Sequence, residues 1–266
     1  MIANFFQSLE RHGVEYLLIS GQATVLYGAA TFSEDIDLWI NPTEKNRERF
    51  LLALCACRAC YYKLTPPLTS ENLLRGHGFH FVLPDENAGE FFLDVMGKPP
   101  RTSSFAEAWA PSRQMETEWG AIWTVRIKPL VDLKKNQRLE DYPIISKLTL
   151  AWFEQPECKN TNDDFSWALQ NIFTLAELTE FFTSHPAAVE TAEKFSRDLA
   201  EFGRRITAGR EIEEKVERAA GEFFQRRISE LQSADRNYWR EIIRELKEWR
   251  AAGKLMREGE MVRVEI

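Results

Sequence analysis

The order of apolar patterns along the chain predicts an α+β protein, a mixed sheet flanked by helices and followed by a mainly α-helical C-terminal domain. Two observations predict it. From residue 1 to 148 short helical patterns alternate with short β-rich runs, with Pro and Gly at the junctions. Beyond 148, charged segments such as AAVETAEKFSRDLAEFGRRI and EIEEKVERAAGEFFQRRISEL carry apolar residues at three and four spacing. The expected domains are therefore 1–148 and 149–266, with no internal repeat and no low-complexity linker.

Taken in order, the patterns predict a helix over 2–12, a strand over 15–20, a helix over 22–29, a strand over 35–41 and a helix over 44–60. Thr43 stands where an N-cap belongs, and Glu44 brings a negative charge to the first helical turn, where the helix dipole favours it. A short helix near 70–75 precedes FHFVLP and EFFLDVM, two strands joined by the polar turn DENAG. Further β-like stretches near 115–128 lead to a helical segment from about 129, and the terminal KLMREGEMVRVEI patterns as a small hairpin around Glu258–Gly259–Glu260.

Composition bounds the function. With 44% hydrophobic and 12% aromatic residues in 266, the chain can fill a core. A net charge of −7 argues against a broad DNA-binding surface, because phosphate neutralisation needs clustered Lys and Arg. The opening residues lack the pattern of a secretory signal and no apolar run reaches a membrane-spanning length, so a cytoplasmic protein with no membrane contact is expected. Four cysteines, three of them crowded at 55, 57 and 60, make a poor disulfide framework and fit the same compartment.

The chemistry is carried by acids. In SEDIDLWI, Asp35, Asp37 and Trp39 alternate with Ile36, Leu38 and Ile40, so on a strand both aspartates face one way, roughly 6–7 Å apart at Cα. Two carboxylates so placed repel each other, and a divalent cation, Mg²⁺ or Mn²⁺, relieves the repulsion. A third acid, Asp94, sits in EFFLDVMG on a strand otherwise apolar on both faces. Buried unpaired it would cost several kcal/mol, but beside the first two acids it completes a cluster that can bind metal or accept a hydroxyl proton. Upstream, Ser20-Gly21-Gln22-Ala23 forms a small-residue turn between a strand and a helix, a place where backbone can approach a phosphate.

Together these motifs resemble the nucleotidyltransferase superfamily of the DNA polymerase β type, in particular its bacterial minimal and AbiEii-like toxin–antitoxin branches. The family pattern reads Gly-Gly-x-Ala, then His-Gly or Tyr-Gly, then Arg-x-Thr-x-Asp-φ-Asp-φ, where φ is apolar. Ser20-Gly21-Gln22-Ala23, Tyr27-Gly28 and Thr31-Phe32-Ser33-Glu34-Asp35-Ile36-Asp37-Leu38 stand in those places without a gap. Asp94 takes the place of the third acid, and LVDLKKNQRLEDYPIISKL is similar to the family's later Lys and Arg-x-Lys-Asp-x-x-Asp-Ile helix. Thr31 stands where the family has arginine, and Glu140 and Ile144 where it has lysine and a second aspartate. The resemblance covers residues 14–148.

It implies a nucleotidyltransferase-type sheet and a metal-dependent enzyme that moves an NMP from an NTP to a hydroxyl of a protein or RNA acceptor, within a toxin–antitoxin or phage-defence system. Asp35, Asp37 and Asp94 would be the catalytic and metal residues. Ser20, Gly21, Ser33, Lys134, Lys135 and Arg138 would contact the nucleotide, and a cognate toxin or antitoxin would be a further partner. The alternative is an inert nucleotidyltransferase-fold protein with a binding or regulatory role.

Other signals favour plainer readings. Cys55, Cys57 and Cys60 with His77 and His80 suggest zinc, but residues 55 and 57 diverge by about 200° on a helix, so packing is the expectation. His12 and His185 have no discernible partner in the sequence. Trp239 and Trp249, with Ile242, Ile243 and Leu246 between them, read as a packed helix face, with a partner or RNA-stacking surface as the alternative.

Overall fold

The computed structural model describes residues 2–85 and 89–263. Glu86–Ala88 of the expected DENAG turn and Val264–Ile266 of the expected terminal hairpin lie outside the described residues. The chain runs α1 (Ile2–Arg11), β1 (Tyr16–Ile19), α2 (Ser20–Leu26), β2 (Ile36–Ile40), α3 (Glu44–Ala56), β3 (Cys60–Tyr61), α4 (Ser70–Leu74), β4 (Gly78–Asp85), β5 (Gly89–Met96), α5 (Phe105–Trp109), β6 (Arg113–Thr117), β7 (Gly120–Thr124) and α6 (Ile127–Lys134). Helices follow: α7 (Asp141–Phe153), α8 (Asn162–Asn171), α9 (Leu175–Ser184), α10 (Ala188–Phe195), α11 (Arg197–Thr207) and α12 (Glu214–Ala251). The protein is α+β, and no helix among the described residues is long and apolar enough to cross a membrane.

The strands form one mixed sheet in the order β3-β4-β5-β2-β1-β7-β6. β1 pairs antiparallel with β2 and parallel with β7, while β2 pairs parallel with β5. Antiparallel pairs β3–β4, β4–β5 and β6–β7 complete it. Burial alternates along β5, so Phe91, Leu93 and Val95 enter the core while Phe92, Asp94 and Met96 take the other face. The core face is covered by aromatic contacts from the helices, Phe5 of α1 on Phe91 at 6.0 Å and Phe50 of α3 on Phe81 at 6.2 Å. Each such fully buried ring stabilises the fold by about 1.5–3 kcal/mol. On β2, Trp39 is buried, donates from Nε1 to Gly97 O at 2.9 Å and meets Phe105 edge-on.

Helix α3 starts where expected, with Thr43 accepting from Asn46 N, but ends at Ala56 rather than 60. Arg58 takes a left-handed φ of 54° that breaks the helix, and Cys60 belongs to β3. The four cysteines are free thiols. The described residues of the terminal segment pair with the sheet edge: Met261 bridges Cys60, and Tyr61 N donates to Glu260 O at 2.9 Å.

By contacts the chain forms two compact units. One comprises 1–26, 30–133 and 237–266, and the other 27–29 and 134–236. The sequence pattern divides the chain once, at 148/149, whereas α12 contributes to both units and returns its last turns to the first. The second unit has its own core, in which Phe165, Leu178, Phe181, Phe182, Leu199 and Phe202 are nearly inaccessible. His185 lies against Phe153, Phe165 and Phe181 at the end of α9, and in the first unit His12 pairs through Nδ1 with Ser8 O at 2.8 Å. Both histidines therefore have structural surroundings that sequence spacing does not reveal.

Candidate functional site

Two of the three predicted acids are register partners. Asp37 on β2 is opposite Asp94 on β5, and because paired residues of parallel strands share a face, both carboxylates rise from the same side of the sheet. On the other edge of β5, His80 of β4 is opposite Asp94, and its Nδ1 lies 2.7 Å from Asp94 Oδ1. Asp37, Asp94 and His80 thus occupy three adjacent strands, and all three line a cavity of about 280 Å³. Asp94 and His80 keep 32% and 27% of their side-chain surface exposed, so the polar atoms are reachable from the cavity rather than sealed in the core.

Asp35 stands apart from this row. It precedes β2, which begins at Ile36, so strand alternation does not fix its direction, and it does not line that cavity. Among the described residues no three His, Cys, Asp or Glu side chains are grouped to hold a metal ion. The zinc alternative at Cys55, Cys57, Cys60, His77 and His80 has no such group either, and the two histidines are committed to Glu245 and Asp94.

The turn residues come together. β1 ends at Ile19, opposite Asp37, so the next residue, Ser20, leaves the sheet beside the start of β2. Ser20 has φ 57°, a left-handed conformation that lets the strand turn at once into α2, and its carbonyl accepts from Thr24 Oγ1 at 2.7 Å. Gly21 is required by packing: a Cβ there would fall 2.1 Å from Ser33 Oγ. Gln22 Nε2 donates to Ser33 O at 2.7 Å and fixes the loop that leads into Asp35. Ser20, Gly21 and Ser33, three of the predicted nucleotide contacts, are therefore one stitched turn at the end of the acid-bearing strands. Beside it Gln22, Thr31, Phe32, Ser33 and Glu34 line a larger cleft of about 890 Å³.

The predicted basic clamp has other work. Lys134 is 5% exposed and donates to Asp141 Oδ1 at 2.8 Å; Asn136 and Arg138 donate to Asp141 Oδ2 at 2.7 and 3.0 Å. Burial of Asp141 opposes its ionisation, but the Lys134 charge and hydrogen bond, with Asn136 and Arg138, outweigh it and hold the carboxyl below its ordinary pKa. Within the second unit, then, Lys134 and Arg138 organise the start of α7. Lys135 is half-buried on the same stretch and also has an interaction partner.

His80 was the residue that acid spacing did not single out. The signal was present in the two strand patterns, because positions equidistant from the DENAG turn pair across a hairpin, which sets His80 against Asp94. No family model matches the sequence, and a search of curated proteins also finds no match.

Proposed function

We propose that this protein is a metal-dependent nucleotidyltransferase of the DNA polymerase β type, moving an NMP from an NTP to a hydroxyl of a protein or RNA acceptor. The observation that carries the reading is the pairing of Asp37 with Asp94 on one face of β2 and β5, next to the Ser20–Gly21–Ser33 turn. Two carboxylates in register on adjacent strands repel each other and a cation relieves that repulsion, and carboxylate oxygens are the hard donors that Mg²⁺ or Mn²⁺ takes while leaving positions for substrate phosphates. Asp37 and Asp94 would hold the ion, with Asp35 joining from the loop before β2. When bound, such an ion supplies charge neutralisation at the α-phosphoryl group and the departing pyrophosphate.

The chain's own residues would divide the remaining work. His80 fixes the orientation of Asp94 through Oδ1, so that Oδ2 is the atom presented to the incoming hydroxyl. As the acceptor oxygen bonds to the α-phosphorus, the bond from that phosphorus to the bridging β-phosphate oxygen breaks, pyrophosphate leaves and the hydroxyl proton passes to Asp94. The Ser20–Gly21 turn would offer its backbone to the phosphates, with Ser33 packed where a side chain at residue 21 would fall. Lys134 and Arg138 are not assigned to the triphosphate, since Asp141 already engages both.

Incubating the full chain with each α-labelled NTP, Mg²⁺ or Mn²⁺, and a lysate containing protein and RNA tests the reading. Label should move to an acceptor, and Asp37→Asn should stop it. The second reading, an inert fold with a regulatory partner such as a cognate toxin or antitoxin, draws on the apolar helix side chains that share the cavity with the acids. It predicts no transfer with any nucleotide.

A further inference from the structure

The cavity that holds Asp37, His80 and Asp94 has a second wall. It is built by Trp239, Ile242, Ile243 and Leu246, one face of the last turns of α12, which belong to the same compact unit as the sheet. The spacing of these residues is that of a helical stripe laid across the acid-bearing face.

Three consecutive residues between α4 and β4 grip this helix end. Arg75 Nη2 pairs with Glu245 Oε1, and Arg75 also lies over the Trp249 ring, 5.9 Å from its centroid. Gly76 has φ +84°, and a Cβ there would fall 2.5 Å from the Tyr238 hydroxyl, so only glycine admits that tyrosine, which donates to Lys98 O at 3.4 Å. His77, fully buried, pairs through Nε2 with Glu245 Oε2 at 2.8 Å and stacks on Trp249 at 4.9 Å.

We infer that the α12 segment from Tyr238 to Trp249 is an autoinhibitory cover, latched by Glu245, which must lift before a nucleotide reaches Asp37 and Asp94. The inference rests on the nucleotidyltransferase reading for its ligand but not for its mechanics. The partly open space of about 280 Å³ lies just under the roughly 300–1,000 Å³ of small-molecule sites. Its helix wall is also wrong for a triphosphate, because Ile242, Ile243 and Leu246 would strip water from phosphate charges and offer no hydrogen bonds in return. Lifting the helix widens access to the acids, of which Asp94 is 32% exposed beneath it, and removes that wall. The latch concentrates on Glu245, which accepts from both Arg75 and His77, so losing one carboxylate releases two anchors.

The test uses the full chain with Glu245→Ala, and with Trp249→Ala as a second variant that leaves no buried charge unpaired. Hydrogen exchange read by mass spectrometry reports on residues 238–249 and on β1, β2 and β5. Diethyl pyrocarbonate modification of His80, located by peptide mass, reports access to the acid-bearing face. Both variants should speed exchange in 238–249 and His80 modification at least fivefold, with sheet protection retained. Label transfer from NTP should rise several-fold as well.

An unchanged His80 rate in both variants overturns the cover. So does loss of sheet protection in both, since the segment would then be core rather than a releasable element. Faster His80 modification with no transfer by any form of the protein leaves the cover standing and removes the nucleotidyltransferase reading. Faster modification with transfer present but not raised shows that the cover does not restrict the site and overturns the inhibitory role.

Discussion

Asp94 on β5 is held between two partners, Asp37 across the parallel register on one side and the His80 imidazole, 2.7 Å from its Oδ1, on the other. An acid on so apolar a strand is tolerable because each neighbour is polar and all three line an opening rather than the core. Replacing His80 by Phe should leave Asp94 without its orienting donor. The expected result is a tenfold or greater fall in label transfer with far smaller change in stability, since His80 is partly exposed. Chemical denaturation run beside the transfer assay separates the two effects.

Gly21 and Ser33 are mutually constraining. Gly21→Ala should destabilise the chain by about 1–3 kcal/mol, because the new methyl would require Ser33 and its loop to move. Combining it with Ser33→Gly should recover most of that loss. Urea unfolding of the single and double variants measures the coupling, and strictly additive losses would show that the two positions do not meet.

Ser20 carries backbone strain that its neighbours enforce. A non-glycine residue at φ 57° costs roughly 1–2 kcal/mol, so Ser20→Gly should stabilise the protein by about 0.5 kcal/mol while Ser20→Val destabilises it. The shift in urea midpoint gives the sign directly.

Asp141 makes stability depend on pH in the second unit. Its folded-state pKa lies below the ordinary value of 3.8, so its contribution is fully present above about pH 4 and is lost as pH falls through the folded-state value. Asp141→Asn should cost about 3 kcal/mol near neutrality, because Lys134 keeps a buried charge without its counterion. The gap between variant and parent should close in acid. A gap that stays constant from pH 7 to pH 3 would contradict the charge pairing.

Local pattern was the readable part of this chain. Alternation along EFFLDVM separated Phe91, Leu93 and Val95 from Asp94, and Thr43 marked the start of α3, because both depend on neighbours in sequence. The adjacency of β2 and β5 is a long-range pairing that alternation permits but does not dictate. Asp35 fell outside its strand because a register argument cannot say where pairing begins. The resemblance assigned Lys134 and Arg138 to the triphosphate, yet both engage Asp141, an acid already present in the motif, Lys134 from a buried position and Arg138 from an exposed one. The stripe from Trp239 to Trp249 was legible as a packed face, but not as one laid over the acids, since periodicity identifies a face and not what it meets.

The central claim is that Asp37 and Asp94 act together on a nucleotide-borne phosphate. The direct measurement is label transfer from an α-labelled NTP with Mn²⁺ by the parent chain, Asp37→Asn and Asp94→Asn, each shown to be folded by its unfolding curve. The account predicts transfer by the parent and a loss of at least a hundredfold in each variant. Transfer that persists unchanged in both variants would contradict it.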